Sequence, residues 1–517
     1  MDPALIAALR LDLAAAHYTV DALEALWGAE AEAALERGDR VPALRTLASR
    51  TADPLATLAT AFVLGVPVAG DALAAALPAL GPAGARALGL IDAGGRPAVD
   101  LRPYAFLDAH GAGSWWIASD PGELATGGAL RTDHVLGVGG ASATLAGLQL
   151  PDAVEATLDL GTGCGIQALH AARRSRRVVA TDISERALGY ARFNAELNGV
   201  GNIEFRLGSL YEPVAGERFD RIVSNPPFVI TPRRAGVPAY EYRDGGMVGD
   251  AIVEAVVSGA REHLTPGGIA QLLGNWEERP AASGRHSGGL ARAVRWAADA
   301  GLDVWLVERE TLDPARYAET WIRDGGTRET DAGYEALVAA WLDDFADRHV
   351  TGVGFGYMLV RNPLGSPTLR RTERLDAPLG SALSDGQRAA GLGAHLAAAL
   401  AAHDALVTLD DEALLARRLR VAPDVTEERS HWPGAADPSV IVLRQGGGFR
   451  REIRAGTALA AVVGACDGEL PAGAIVDAVA QLLDADAAAL RAELVPQLRE
   501  LLVGGLLVLE GGAPAAS

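Results

Sequence analysis

The chain has 517 residues, 49% hydrophobic and 22% charged, the balance of a soluble globular protein with ample core rather than of a disordered chain. Its formal net charge of −20 at pH 7 argues against long, nonspecific contact with nucleic acid. The two cysteines, Cys164 and Cys466, lie far apart, which argues against a disulfide framework and a cysteine-based zinc site.

The length predicts two to four domains. The start, Met1-Asp2-Pro3, is acidic and lacks a basic n-region, so no signal peptide is expected. Alanine-rich runs such as Leu396–Ala402 are too short to span a bilayer, and a cytoplasmic location is expected. All 46 basic residues are arginine, which reads as codon bias in a GC-rich bacterium and carries no mechanism.

Residues 1–110 read as a helical, winged-helix-like domain. Apolar residues fall at helical spacing over Leu5–Ala16, Val20–Leu26 and Glu30–Arg37. Asp53-Pro54 marks the start of a helix over Leu55–Leu64. Short helices at Val68–Leu77 and Gly84–Leu88 precede a hairpin over Gly89–Leu101. None of these helices is arginine-rich, so packing or protein recognition is expected rather than DNA binding. Residues 111–365 form the next predicted domain. It opens with Trp115 and Trp116 on a strand and a glycine-containing loop from Thr132, where His134 is a weak site candidate.

The stretch Ala156–Gln167 organises the rest. A short apolar strand, Thr157–Leu160, turns through Gly161, Gly163 and Gly165 into a helix over Ile166–Arg173. Glycines let the backbone approach a ligand, and the helix start adds unpaired N–H groups. A dinucleotide site would show G-x-G-x-x-G, whereas the spacing here is G-x-G-x-G. Asp159, two residues before the first glycine, suits a cationic ligand. A second strand, Arg177–Asp182, ends in an acid where a carboxylate accepts from both hydroxyls of a ribose.

Downstream, the apolar strand from Asp220 runs into Asn225-Pro226-Pro227-Phe228. Two prolines fix the backbone and remove two N–H donors. Asn225 offers one acceptor and two donors, and Phe228 a flat face. That kit fits a planar –NH2 group held by two acceptors. Further strands are expected at Ile203–Leu207, Gly267–Leu273, Asp303–Val307 and Gly354–Val360, with helices at Glu185–Asn198 and Ala251–His263. The glycine-rich, aromatic loop Tyr240–Asp250 suits a lid or substrate-positioning role, and Asn275-Trp276 could line the same mouth. Residues 366–517 read as an α+β, winged-helix-like accessory domain for substrate recognition or dimerisation. Its helices are expected near Ser381–Ala402, Ala458–Ala465, Gly473–Leu483 and Ala488–Val503, with a hairpin around Gly446–Gly448.

D-x-G-x-G-x-G with an acid ending the next strand resembles the class I S-adenosylmethionine (SAM) methyltransferases. N-P-P-[FY] after the fourth strand resembles those that methylate adenine N6, guanine N2 or glutamine N5. The closest resemblance, over about Leu124–Asn362, is to the protein-(glutamine-N5) methyltransferases of release factors and ribosomal protein. It implies an α/β, seven-stranded, doubly wound Rossmann-like core. It further implies SAM as cofactor, bound by Asp159, Gly161, Thr162, Gly163, Gly165, Asp182, Ile183, Ser209 and Asn225. Asn225, Pro226, Pro227 and Phe228 would be catalytic, with no metal. Relatives usually carry Tyr at position 228 and an acid at position 209. The implied partner is a protein bearing a target glutamine. Methylation of a base amino group in RNA or DNA, and a non-catalytic SAM-binding module, stand as alternatives.

Overall fold

The computed structural model describes residues 2–50, 52–127, 130–234, 236–280, 288–375 and 385–510. Two compact units result. The larger comprises residues 1–106, 112–146 and 153–376; the smaller comprises 107–111, 147–152 and 377–517.

The larger unit begins with helices. Asp2 caps Pro3–Ala15 and Thr19 caps Val20–Glu36 through side-chain acceptors. The two expected helices meet at Gly28, whose φ of 81° breaks the helical path. Asp53 caps Pro54–Leu58, which continues as a π-turn over Ala59–Val63. Short helices follow at Gly70–Ala76 and Gly81–Ala87. The expected hairpin over Gly89–Leu101 is reduced to one bridge, Ile91 to Pro97, because Asp92 closes the turn on the Arg96 N–H and Leu101 already belongs to the next strand. That strand, β1 (Asp100–Asp108), pairs with β2 (Gly111–Ser119). The helices share a core with Phe193 and Leu197, and Arg10 donates to the carbonyls of Glu196 and Leu197 at the end of helix Glu185–Leu197. The N-terminal helices therefore brace the helix behind the glycine turn.

Eight strands form the central sheet. They are β3 (Val154–Leu160), β4 (Ser175–Asp182), β5 (Ile203–Leu207), β6 (Phe219–Ser224), β7 (Leu264–Glu278), β8 (Asp303–Leu312), β9 (Gly352–Arg361) and β10 (Arg370–Arg374). Their order is β10-β8-β9-β7-β6-β3-β4-β5, and β9 alone runs antiparallel to both neighbours. Strands β6, β7, β8 and β9 are buried along most of their length, as in a sheet covered on both faces. Strand order reverses at β3, which pairs with β4 on one side and β6 on the other. A crevice at such a switch point is where open α/β sheets bind ligands. Seven strands were expected; β10 is the eighth. Its sequence is Arg-Arg-Thr-Glu-Arg; Arg370 and Arg374 stay exposed, while Glu373 accepts from Trp305 Nε1 at 2.8 Å and Arg374 pairs with Glu308 at 2.7 Å. Charges on this edge oppose further strand pairing.

The smaller unit packs helices Thr457–Gly464, Ala472–Leu482 and Ala487–Val503 around Leu419, Leu494 and Leu498. It holds a three-stranded antiparallel sheet in which β11 (Arg418–Val421) lies between β15 (Asp467–Pro471) and β16 (Leu507–Leu509). A second sheet comprises β12 (Val425–Ser430), β13 (Val440–Gln445) and β14 (Glu452–Arg454). The expected hairpin around Gly446–Gly448 is β13–β14. In β11 Leu419 is buried, while the exposed Arg420 pairs with Glu510. No described helix is long and apolar enough to cross a membrane.

Candidate active site

At the end of β3 the chain turns through Gly161, Gly163 and Gly165 with φ of 77°, 56° and 90°, a region that L side chains rarely enter. A Cβ at Gly161 or Gly163 would meet nothing within 4 Å, whereas one at Gly165 would stand 3.0 Å from the Cβ of Ala191. The first two thus keep space open above the turn, and the third lets the following helix seat against Glu185–Leu197. Asn194 on that helix holds the arrangement: it donates to the carbonyls of Cys164 and Ala118 at 2.8 and 2.9 Å and accepts from Ala118 N–H at 2.8 Å.

Asp159 is fully buried, and its Oδ2 accepts from Thr162 Oγ1 at 2.5 Å while Oδ1 has no partner. Burial pushes its carboxyl up to about 7, eased by the Thr162 hydrogen bond. Asp159 and the buried Thr162 sit beneath the turn and brace it. Asp182 ends β4 with each oxygen on a backbone donor, Gly163 N–H and Ser184 N–H, both at 2.9 Å. Burial raises its carboxyl above the usual range, partly offset by those two N–H groups. Beside it Ile183 is 69% exposed, an apolar face at the rim of the crevice. Ser209 is half-buried in the turn after β5, where Gly208 N–H reaches the carbonyl of Asp182 at 3.0 Å.

Asn225 follows β6. Ser224 Oγ donates to the Leu160 carbonyl at 2.7 Å, tying the end of β6 to the end of β3. Asn225 Nδ2 reaches Ser142 Oγ at 3.4 Å, and its buried Oδ1 has no partner. Pro226 and Pro227 lead to Phe228, which lies tilted against Phe355 with ring centroids 5.5 Å apart. The Tyr240–Asp250 loop is held against this motif. Phe228 bridges Asp244, Val229 N–H donates to the Arg243 carbonyl, and Tyr240 OH donates to the Gly325 carbonyl. Arg243 lies 4.5 Å over the Tyr240 ring and pairs with Asp324 at 2.7 Å. These contacts hold the loop against the Asn225–Phe228 motif.

Next to Phe228 lies a cavity of about 400 Å³. Beyond the end of β6, strands β7, β8 and β9 continue and form one side of it. Alternation along β9 presents Val353, Phe355 and Tyr357, and along β8 Glu310 and Leu312. Helix Pro314–Asp324 supplies Tyr317, Thr320 and Trp321, one face at i, i+3 and i+4. Gly140 and Ala141, which precede Ser142, also line it. Asn275 closes the set. It is 1% exposed, its Nδ2 donates to Tyr317 OH, and its Oδ1 has no partner. Tyr317 OH also receives Ile230 N–H at 3.0 Å, so it anchors the chain just past Phe228. On the other face of β9, positions 352, 354 and 356 are glycines. A Cβ at Gly354 would stand 2.1 Å from Trp276 Nε1, and one at Gly356 would stand 2.0 Å from the Val307 carbonyl.

The structure thus brings together Asp182, the glycine turn and Asn225–Phe228 at the switch point. Asn275 lines the mouth as expected. Trp276 does not: it is buried on the opposite face and donates to Glu308 at 2.8 Å. His134 is buried, packed edge-on against Tyr242 and 4.0 Å from Asp120; burial lowers its affinity for a proton. Asp120 instead collects Val135 N–H, Tyr190 OH and Arg186, fixing the segment before the turn. Sequence reasoning missed Tyr317, Trp321 and Phe355. The signal for Phe355 was present in Gly352-Val-Gly-Phe-Gly-Tyr357, a strict alternation of glycine with apolar residues.

Residues 139–280 match the family model described as methyltransferase small domain, and residues 15–102 match one described as a domain of unknown function (DUF7059). The first span contains the glycine turn, Asp182, Asn225–Phe228 and Asn275. Over 129 residues the chain is 40% identical to a release factor glutamine methyltransferase of Xylella fastidiosa, covering 23% of this chain and 46% of that protein. Over 139 residues it is 37% identical to a ribosomal protein uL3 glutamine methyltransferase of Bradyrhizobium diazoefficiens, covering 25% of this chain and 43% of that protein. The chain spans less than half the length of either relative. Among solved structures, a methyltransferase from Pyrococcus furiosus is 18% identical, with 41% of this chain and 77% of that one covered and a TM-score of 0.24. The sheet from β3 to β9, with its one antiparallel strand, is a class I methyltransferase core to which β10 adds an edge.

Proposed function

We propose that the chain is a SAM-dependent N-methyltransferase whose acceptor is the side-chain amide of a glutamine in a protein. The observation that carries this reading is the buried, unpartnered Oδ1 of Asn225, set between the end of β6 and two prolines. An unpaired buried carbonyl costs roughly 1–3 kcal/mol, a cost offset when a substrate N–H fills it. The residues also fit the cofactor. Gly161 and Gly163 leave room over the turn, Asp182 has a lone pair to spare on each oxygen for ribose hydroxyls, and Ile183 offers an apolar face. Asp159 and Thr162 contribute by shaping the turn, and Ser209 stands at the adenine end.

SAM, when bound, supplies a methyl group already activated on a positively charged sulfur. The protein's task is then position and electrostatics. An amide nitrogen is a poor nucleophile because its lone pair is delocalised into the carbonyl. Asn225 Oδ1 and the Pro226 carbonyl accept its two N–H groups, which raises electron density on nitrogen and fixes its orientation. Phe228 restrains the amide plane.

The arginines beside the motif speak for a protein over a nucleic acid. Arg233 pairs with Asp244 at 2.9 Å, Arg234 with Asp347, and Arg243 with Asp324. Acids thus neutralise the cations a phosphate backbone would need. The names of the relatives, which specify a release factor and ribosomal protein uL3, point the same way. In this reading residues 111–365 carry out the transfer in the cytoplasm, while 1–110 serve packing or protein recognition and 366–517 substrate recognition or dimerisation. Mass spectrometry of the proteome and RNA of a deletion strain tests it. A glutamine that loses 14 Da in the deletion strain is expected; a methylated base lost in its place overturns the assignment.

A further inference from the structure

Resting on the glutamine reading, we infer that the cavity beside Phe228 is a second acceptor subsite. It takes a bulky apolar side chain neighbouring the methylated glutamine in the substrate peptide. A cavity of about 400 Å³ falls in the range of sites for drug-sized ligands, about 300–1,000 Å³. The three heavy atoms of a carboxamide fill a small part of it. Its walls are Phe228, Tyr317, Trp321, Phe355 and Leu312, arranged by a sheet face and a helix face that meet with nothing between them. Those surfaces match an aliphatic or aromatic side chain, and burial of such a group is the main source of affinity in a site of this kind.

Asn275 decides what carries that side chain. Its buried Oδ1 is unpartnered beside the aromatic and aliphatic walls. A peptide brings backbone N–H groups within reach of any side chain it inserts, so the apolar group and a partner for Asn275 arrive together. A hydrocarbon metabolite would leave Asn275 unsatisfied. A nucleotide is opposed by charge, because the one charged residue of the lining is Glu310.

The test uses the full-length enzyme, radiolabelled SAM and a library of synthetic peptides with a fixed central glutamine. Flanking positions are varied between Gly and Leu, Phe or Trp. At one flanking position a bulky apolar residue should raise kcat/KM roughly ten- to hundredfold over Gly, the discrimination a hydrophobic pocket provides. Thr320→Trp, at an exposed lining position, should erase that preference while calorimetry confirms a folded, SAM-binding protein. Equal rates for Gly and bulky neighbours would overturn the subsite and leave glutamine methylation standing. So would a preference that survives Thr320→Trp. If no glutamine peptide is methylated while RNA is, the glutamine reading fails and the subsite with it.

Discussion

Replacing Asn225 by alanine should move activity and stability in different directions. In the free protein Asn225 Oδ1 is buried without a partner, and its Nδ2 makes one long hydrogen bond of 3.4 Å to Ser142. Deleting the side chain removes an unsatisfied acceptor, worth roughly 1–3 kcal/mol, and forfeits a weak bond of about 0.5 kcal/mol. Lost packing of a small polar group takes back about 1 kcal/mol. The net change in stability is therefore near zero or favourable. Turnover should fall by two orders of magnitude or more, about 2.7 kcal/mol in the barrier, because the amide loses one of its two acceptors. The assay pairs urea denaturation of ligand-free protein with single-turnover methyl transfer to a peptide acceptor. A variant that loses stability in proportion to its activity would show Asn225 to be a structural turn residue. A variant that methylates at the wild-type rate would refute the chemistry outright.

Three further outcomes are expected. Asp182→Ala removes the ribose acceptor and frees two backbone donors, Gly163 N–H and Ser184 N–H; SAM affinity should drop by about 1.5–3 kcal/mol, and calorimetry showing unchanged affinity in a folded variant would sink the cofactor assignment. Gly356→Ala places a Cβ 2.0 Å from the Val307 carbonyl, a backbone atom that cannot swing away; a loss of about 3 kcal/mol or more is expected in chemical denaturation, and a loss under about 1 kcal/mol would contradict the packing described. Asp159, held at about 7 against an ordinary 3.8 by burial, stabilises the fold fully below pH 4 and loses that contribution as pH rises through 7. Asp159→Asn cannot ionise, so its stability relative to wild type should improve between pH 5 and pH 8; a constant difference across that window would show the carboxyl to be unperturbed.

The core was legible because its signals are local. A glycine turn with φ near 77°, 56° and 90° needs glycine at those positions whatever surrounds it, and apolar runs between helices read as parallel strands. Asn225–Phe228 was legible for the same reason: two prolines and an amide declare their backbone chemistry in four residues. The cavity was not, since its lining is gathered from separate segments spread between Gly140 and Tyr357. Phe228 meets Phe355 only because β9 inserts between β7 and β8. Strands β10 and β11 were hidden by their arginines, of which Arg371 pairs with Glu373 and the exposed Arg420 with Glu510. Asp159 was assigned to the ligand from its spacing, and only burial shows that it faces the turn.

Strand β9 separates two kinds of constraint by parity. Its odd residues, Val353, Phe355 and Tyr357, face the cavity, while Gly354 and Gly356 admit the Trp276 ring and the neighbouring backbone. Selection can therefore act on the odd positions at a smaller penalty in folding than at the glycines, and mutation at the even positions is removed before any new specificity is tried. A library varied among apolar residues at 353, 355 and 357 with the glycines held would sample acceptor preference while keeping the strand's close packing against Trp276 and β8. The same number of changes spread over both parities would mostly yield protein that does not fold.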